Sequence, residues 1–132
     1  MKKSILIICA FVVSSYGLHA QAPAQPSTQD SIVFVKTIND YGTIVQGSDG
    51  NCEFKFTNKG KLPLVLSNVK ASCGCTVPEW PKEPIMPGKT SSIKVKYNTA
   101  NVGSFGKTIT VSSNASNSTV VLTIKGNVTP KQ

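Results

Sequence analysis

The sequence predicts an all-β domain, a sandwich of two antiparallel sheets built from about seven short strands. Three observations predict it. Apolar residues alternate with polar ones over stretches of strand length. Turn signals rich in Gly, Pro, Asn and Ser separate these stretches. Almost no segment has the 3.6-residue apolar period of a helix. Strands with one face in water explain the alternation, and regular turn spacing is the profile of a sandwich, with a small barrel as the structural rival.

Taken in order, "SIVFVK" and "YGTIVQ" make two short opening strands. "NCEFKFTN" places Cys52, Phe54 and Phe56 on one face and Glu53, Lys55 and Thr57 on the other. The cluster "NKGKLP" turns the chain into the apolar run "LVLSNVKA". "MPGK" carries Pro87 and Gly88 at the two central positions of a type II turn. It leads into "SIKVKYN", where Ile93, Val95 and Tyr97 oppose Lys94 and Lys96. "SFGKTITVSS" aligns Phe105, Ile109 and Val111, and "STVVLTIKGNV" aligns Val120, Leu122, Ile124 and Val128. "SNASN" connects these two as a hairpin. There is no internal repeat.

The front of the chain reads differently. Residues 1–20 combine Lys2 and Lys3 with the apolar stretch Ile5 to Val13 and a Leu18-His19-Ala20 cleavage site, the pattern of an export signal peptide. The stretch is too short for a permanent membrane span. Residues 21–30, "QAPAQPSTQD", have the composition of a flexible linker, and residues 31–132 form the domain. Removing twenty residues from 132 leaves 112, a normal size for one domain. The expected location is periplasmic or secreted, with no transmembrane anchor after processing.

Processing also removes chemistry. His19 is the sole histidine, and all fourteen basic residues are lysines, so the sequence holds no arginine. After cleavage, twelve lysines face six acidic residues, a net charge of +6. A chain without imidazole lacks the usual hydrolytic triads and histidine zinc sites. One without guanidinium lacks the planar fork that reads phosphate or guanine. The basic excess reads as a solvated lysine surface, and nucleic acid is not an expected partner.

The segments "FKFTNKGKLPLVLSNVKASCGCTVP", "IMPGKTSSIKVKYNT", "GSFGKTITVSSN" and "LTIKGNV" together resemble the bacterial family known as domain of unknown function 1573. The resemblance runs from about Ile32 to Val128. It rests on N-x-G-x-x-P-L, an S-C-G-C-T core, a P-G turn and S-N before the last strand. It implies an immunoglobulin-like sandwich, implies no activity, and fits exported single-domain proteins of Bacteroidetes-like bacteria. Cys52 departs from the family pattern.

Three cysteines remain in an oxidising compartment, so at least one is unpaired within a monomer. Cys52, sharing a face with two phenylalanines, reads as a small buried hydrophobe. For Cys73 and Cys75 three readings stay open. The thiols are structural or idle at a strand end; or they form a labile disulfide, drawn together by a turn at Gly74; or they bind a soft metal, copper, with Met86 adding a thioether. No other cofactor is expected. C-x-x-C redox enzymes set their thiols at a helix N-terminus, and no helix is visible beside this pair.

Of the remaining candidates, Trp80 lies in "VPEWPKEP" and reads as a lid over the sandwich or as an exposed partner contact. Glu79 and Glu83 beside it read as solvated loop charges. Ser31, in Asp30-Ser31-Ile32, matches a short O-glycan acceptor pattern. The combined reading is an exported, non-enzymatic module that binds or assembles an envelope protein or polymer, through a sheet edge or the 74–88 loop. The alternative is a soft-metal or thiol-redox protein acting through Cys73 and Cys75.

Overall fold

A computed structural model describes residues 31–132. The expectations of a leader and a linker fall on residues 1–30, outside the described residues. Among the described residues no helix forms, and eight strands follow in order: β1 (Ile32–Phe34), β2 (Ile38–Val45), β3 (Asn51–Asn58), β4 (Leu66–Ala71), β5 (Thr76–Glu79), β6 (Thr90–Tyr97), β7 (Gly103–Ser113) and β8 (Thr119–Thr129). They form two four-stranded sheets, ordered β1-β3-β6-β5 and β2-β8-β7-β4.

Two features depart from the expected architecture. The eighth strand is β5, whose four residues include Pro78 and show no apolar alternation. It pairs with the end of β6, Thr76 opposite Tyr97 and Glu79 opposite Lys94. The second departure is the pairing of β2, which runs parallel to β8 while every other strand pair is antiparallel. The chain reaches that position by changing sheets within three residues. Val35 still donates its N–H to Lys55 of the first sheet, whereas the Thr37 carbonyl already accepts from Thr123 of the second. The link does not fold back as a hairpin and instead steps across the sandwich edge, placing β1 and β2 in different sheets.

The faces read from the alternation become the core. Phe54, Phe56 and Ile93 from one sheet and Ile109, Leu122 and Ile124 from the other are completely excluded from water. Each such side chain contributes about 1.5–3 kcal/mol of transfer free energy. Aromatic rings bridge the layers, with Tyr97 stacked on Phe105 at 3.9 Å between centroids.

One end of the sandwich is closed by amides, and this accounts for the N-x-G-x-x-P-L motif. Asn58 is 1 % exposed; its Nδ2 donates to the Leu62 and Ile85 carbonyls at 2.8 and 2.9 Å, and its Oδ1 accepts from Gly60 N–H at 2.9 Å. Those bonds hold Leu64 against Ile85, an isolated bridge that plugs this end. In the "SNASN" hairpin, Asn114 Oδ1 accepts from Val65 N–H while its Nδ2 donates to the Pro63 carbonyl. Asn117 does the same with Ile32, accepting from its N–H and donating to its carbonyl. Both side chains thus imitate a neighbouring strand and satisfy backbone groups that an edge would leave open.

Candidate functional site

Chemistry collects at the opposite end. After β4 the chain crosses between sheets through Ser72-Cys73-Gly74-Cys75, and Ser72 N–H remains tied to the Thr108 carbonyl at 2.8 Å. The Cys73 and Cys75 sulfurs are joined as a disulfide, with Cα atoms 5.4 Å apart. A turn at Gly74 sets that spacing: Thr76 N–H reaches back to the Cys73 carbonyl at 3.4 Å. Asn98 N–H then fixes the Cys75 carbonyl at 2.8 Å. A loop this small constrains the unfolded chain little, so the bond contributes less than about 2 kcal/mol to the fold. The crossing is held by its backbone hydrogen bonds.

The residue after the pair completes the arrangement. Thr76 is 3 % exposed, and its Oγ1 lies 3.8 Å from Cys73 Sγ and 3.9 Å from Cys75 Sγ. A bonded sulfur carries no proton, so the threonine hydroxyl is the donor. Beside it opens a cleft of about 600 Å³, walled by the 47–51 turn, by Gly74, Cys75 and Val77, and by residues 96–99. Asp49 and Lys96 supply its charges. The turn is internally braced: Asp49 Oδ1 accepts from the Asn51 backbone and side chain, and Thr99 Oγ1 donates to the Ser48 carbonyl at 2.6 Å.

Met86 is not near this site, which corrects the copper ligand set. The 86–89 turn is closed by Lys89 N–H on the Met86 carbonyl and is tied to Asn58, at the Thr90 end of β6. Cys75 sits by Tyr97 and Asn98 at the other end. Eight residues of strand separate the two by about 23 Å. Met86 adds no thioether to a Cys73–Cys75 site. Among the described residues, no three His, Cys, Asp or Glu side chains cluster as metal donors.

Trp80 lies between the two ends. It is half-buried and packs against the core, while Lys82 Nζ sits 3.0 Å above its ring centroid. Its indole N–H is buried without a hydrogen bond. One ring face is therefore covered by its own loop, the geometry of a lid. Glu79 and Glu83 are exposed. Ser31, half-buried, stands at the entry to β1, where its carbonyl accepts from Lys59 N–H.

Cys52 is the free cysteine among the described residues, half-buried on the inner face of β3. Burial pushes its thiol above the ordinary value of 9.0, against the lowering effects of the neighbouring Tyr41 hydroxyl and Lys36 charge. Burial likewise raises the Tyr41 phenol far above 10.0, reinforced by Cys52 and Asp49; its hydroxyl donates to the Gly50 carbonyl at 2.7 Å. Both groups fold as neutral species with raised pKa values. Their stabilisation is complete below pH 9 and is lost as pH rises past the unfolded values of 9.0 and 10.0. Thermal melts should therefore fall between pH 9 and 11, and the fall should be smaller for Cys52→Ala. Parallel pH profiles for the two proteins would contradict this account.

Eight strands in two sheets, with sheet-switching strands at the edges, define an immunoglobulin-like β-sandwich. The chain belongs to the family described as protein of unknown function (DUF1573), whose model matches residues 32–128. No curated protein matches it in sequence. Among solved structures it is similar to a protein of unknown function from Porphyromonas gingivalis W83, with TM-score 0.66 and 18% identity, covering 81% of this chain and 51% of that one. The chain thus spans about half the length of that relative. The PapD-like domain 7 of human CEP192 matches with TM-score 0.69 and 8% identity, over 100% of this chain and 99% of that domain. A CsuC–CsuE chaperone–tip adhesion subunit pre-assembly complex from Acinetobacter baumannii matches with TM-score 0.53 and 8% identity, over 74% of this chain and 57% of that one. At such identities these likenesses establish the shared fold.

Proposed function

We propose that this chain is an exported, non-catalytic binding or assembly module of the cell envelope that pairs with an extended segment of another envelope protein along its β1–β2 edge. The observation that carries this reading is a row of exposed aliphatic side chains where the chain changes sheets: Val33 at 46 %, Val35 at 78 % and Ile38 at 54 % exposure. Asn117 already satisfies Ile32 on β1, so the backbone offered to a partner strand lies beyond Ile32 and along β2, with the partner's side chains against this row. β2, with eight residues, is the longest edge strand and is paired on one side only. Among the other edges β5 is interrupted by Pro78 and β4 is shorter, with six residues; β4 and β2 each carry one register irregularity, that of β2 between Asp40 and Thr43.

Likeness to a chain of a chaperone–tip adhesion subunit pre-assembly complex supports an assembly role. Among the described residues no helix is long and apolar enough to cross a membrane. Export rests on the leader pattern of residues 1–20, and the absence of catalysis rests on the missing histidine and arginine after cleavage. The test places a photo-crosslinking residue at position 35 or, on the outer face of β8, at position 121, in cells that export the protein. Adducts with a polypeptide are expected from position 35 and should drop about tenfold when Ile38→Lys is added, a loss of about 1.4 kcal/mol in affinity. Equal labelling from both positions, or none from position 35, would overturn the edge assignment.

A further inference from the structure

We propose that the Cys73–Cys75 disulfide is a thiol–disulfide exchange site, accepting two electrons from a dithiol polypeptide seated in the adjoining cleft. This chemistry is independent of edge pairing and stands whether or not position 35 crosslinks.

Access is the first support. Cys75 is half-buried: it packs against the core and also lines the cleft, whose volume of about 600 Å³ admits a peptide loop. Gly74 is exposed, and nothing lies within 4 Å of where a Cβ would project from it. The turn that carries the bond is therefore open to solvent at Gly74.

Stabilisation of the leaving sulfur is the second. Attack on Cys75 expels Cys73 as a thiolate. Thr76 Oγ1 lies within reach of both sulfurs, so its one proton can turn to the sulfur that becomes anionic, and a hydrogen bond to an anion is roughly twice as strong as one to a neutral acceptor. Helix N-termini commonly supply this stabilisation; here a buried hydroxyl takes that place. The Lys96 ammonium in the same cleft favours the incoming thiolate, with Asp49 opposing it from the other wall.

Reversibility is the third. The turn is fixed by Asn98 N–H on Cys75 and by Ser72 N–H on Thr108, bonds that do not involve sulfur. Reduction leaves the two thiols in register for re-oxidation.

In the exchange, a partner thiolate attacks Cys75 Sγ. The Cys73–Cys75 bond breaks, its electron pair passes to Cys73 Sγ, and that thiolate takes a proton from water. The partner's second thiolate then attacks the partner sulfur of the mixed disulfide and releases Cys75, which is protonated in turn. The partner ends as a disulfide, oxidised by two electrons, and Cys73 and Cys75 end as a dithiol.

The test mixes the full chain with a reduced two-cysteine peptide in native buffer, quenches with acid, alkylates and maps thiols by mass. One peptide disulfide should form per Cys73–Cys75 bond reduced. Thr76→Val should slow the reaction about tenfold, and Thr76→Ser should restore it, with melting curves showing both variants folded. Given the oxidised peptide instead, Cys73→Ser should trap a mixed disulfide on Cys75 about tenfold faster than Cys75→Ser traps one on Cys73, a difference of about 1.4 kcal/mol in barrier. A bond that yields to the peptide only after unfolding in urea would overturn the proposal. So would a Thr76→Val rate equal to that of the unaltered chain.

Discussion

Asn58→Ala is expected to lower the unfolding free energy by about 3 kcal/mol, read as a shift in urea midpoint at constant slope. Three hydrogen bonds disappear together, two donated to the Leu62 and Ile85 carbonyls and one accepted from Gly60. Each contributes about 1 kcal/mol net, and the carbonyl of Ile85 lies in a buried end that water does not reach freely. The alternative is that Asn58 merely fills space, in which case Asn58→Leu would be as stable as the original. Asn58→Asp separates the two accounts further. It keeps the acceptor for Gly60 but turns a carboxylate toward two carbonyl oxygens. Burial and those oxygens would raise the carboxyl pKa in the folded state, so the variant should be most stable below the unfolded value near 4 and weaken as pH rises above it. A pH-independent deficit in Asn58→Asp would count against the carbonyl contacts.

The same residue shows how far the sequence could be read. N-x-G-x-x-P-L was visible as a turn cluster because Asn, Gly and Pro bias the backbone locally. Its role as a plug was not visible, because Ile85 lies 27 positions away and joins Asn58 only once β3 and β6 pair. Faces transfer from sequence to structure directly: Phe54 with Phe56, and Ile93 with Val95 and Tyr97, lie inward as alternation requires. Neighbourhoods do not. Met86 is eleven positions from Cys75 in a Pro-rich loop, yet β5 carries the chain away along β6 and leaves the two at opposite ends. β5 itself escaped notice since Val77 and Pro78 lack an apolar period, and its pairing comes from the neighbouring β6. The parallel β2–β8 pair is likewise silent in the sequence, for alternation fixes a face and never a partner. The threonine of S-C-G-C-T was the one available signal for the hydroxyl at the sulfurs. Recognising it required knowing that Thr76 begins a strand and points inward.

The second large effect concerns the floor of the cleft. Gly50→Ala is expected to cost about 3 kcal/mol, at the upper end of overpacking penalties. Gly50 is buried, and a methyl group there would be driven into the Tyr97 carbonyl oxygen, with Thr99 Cγ2 only 3.2 Å away. That oxygen is backbone, so no rotamer change relieves the clash. Nor can the strands separate freely: Tyr97 N–H donates to the Gly50 carbonyl at 2.9 Å, and Tyr41 Oη donates to the same oxygen. Any shift that admits the methyl group stretches both bonds and tilts Tyr97 on Phe105, linking this turn to the core. Gly88 supplies the comparison. It has a positive φ of 76° but open space around it, so Gly88→Ala should lose only about 1 kcal/mol through backbone strain. Chemical unfolding of the two variants separates steric exclusion from conformational preference. Equal losses would mean that Gly50 is needed for its backbone freedom, and the close approach of the 47–51 turn to β6 would then cease to explain why the cleft keeps its shape beside Cys75.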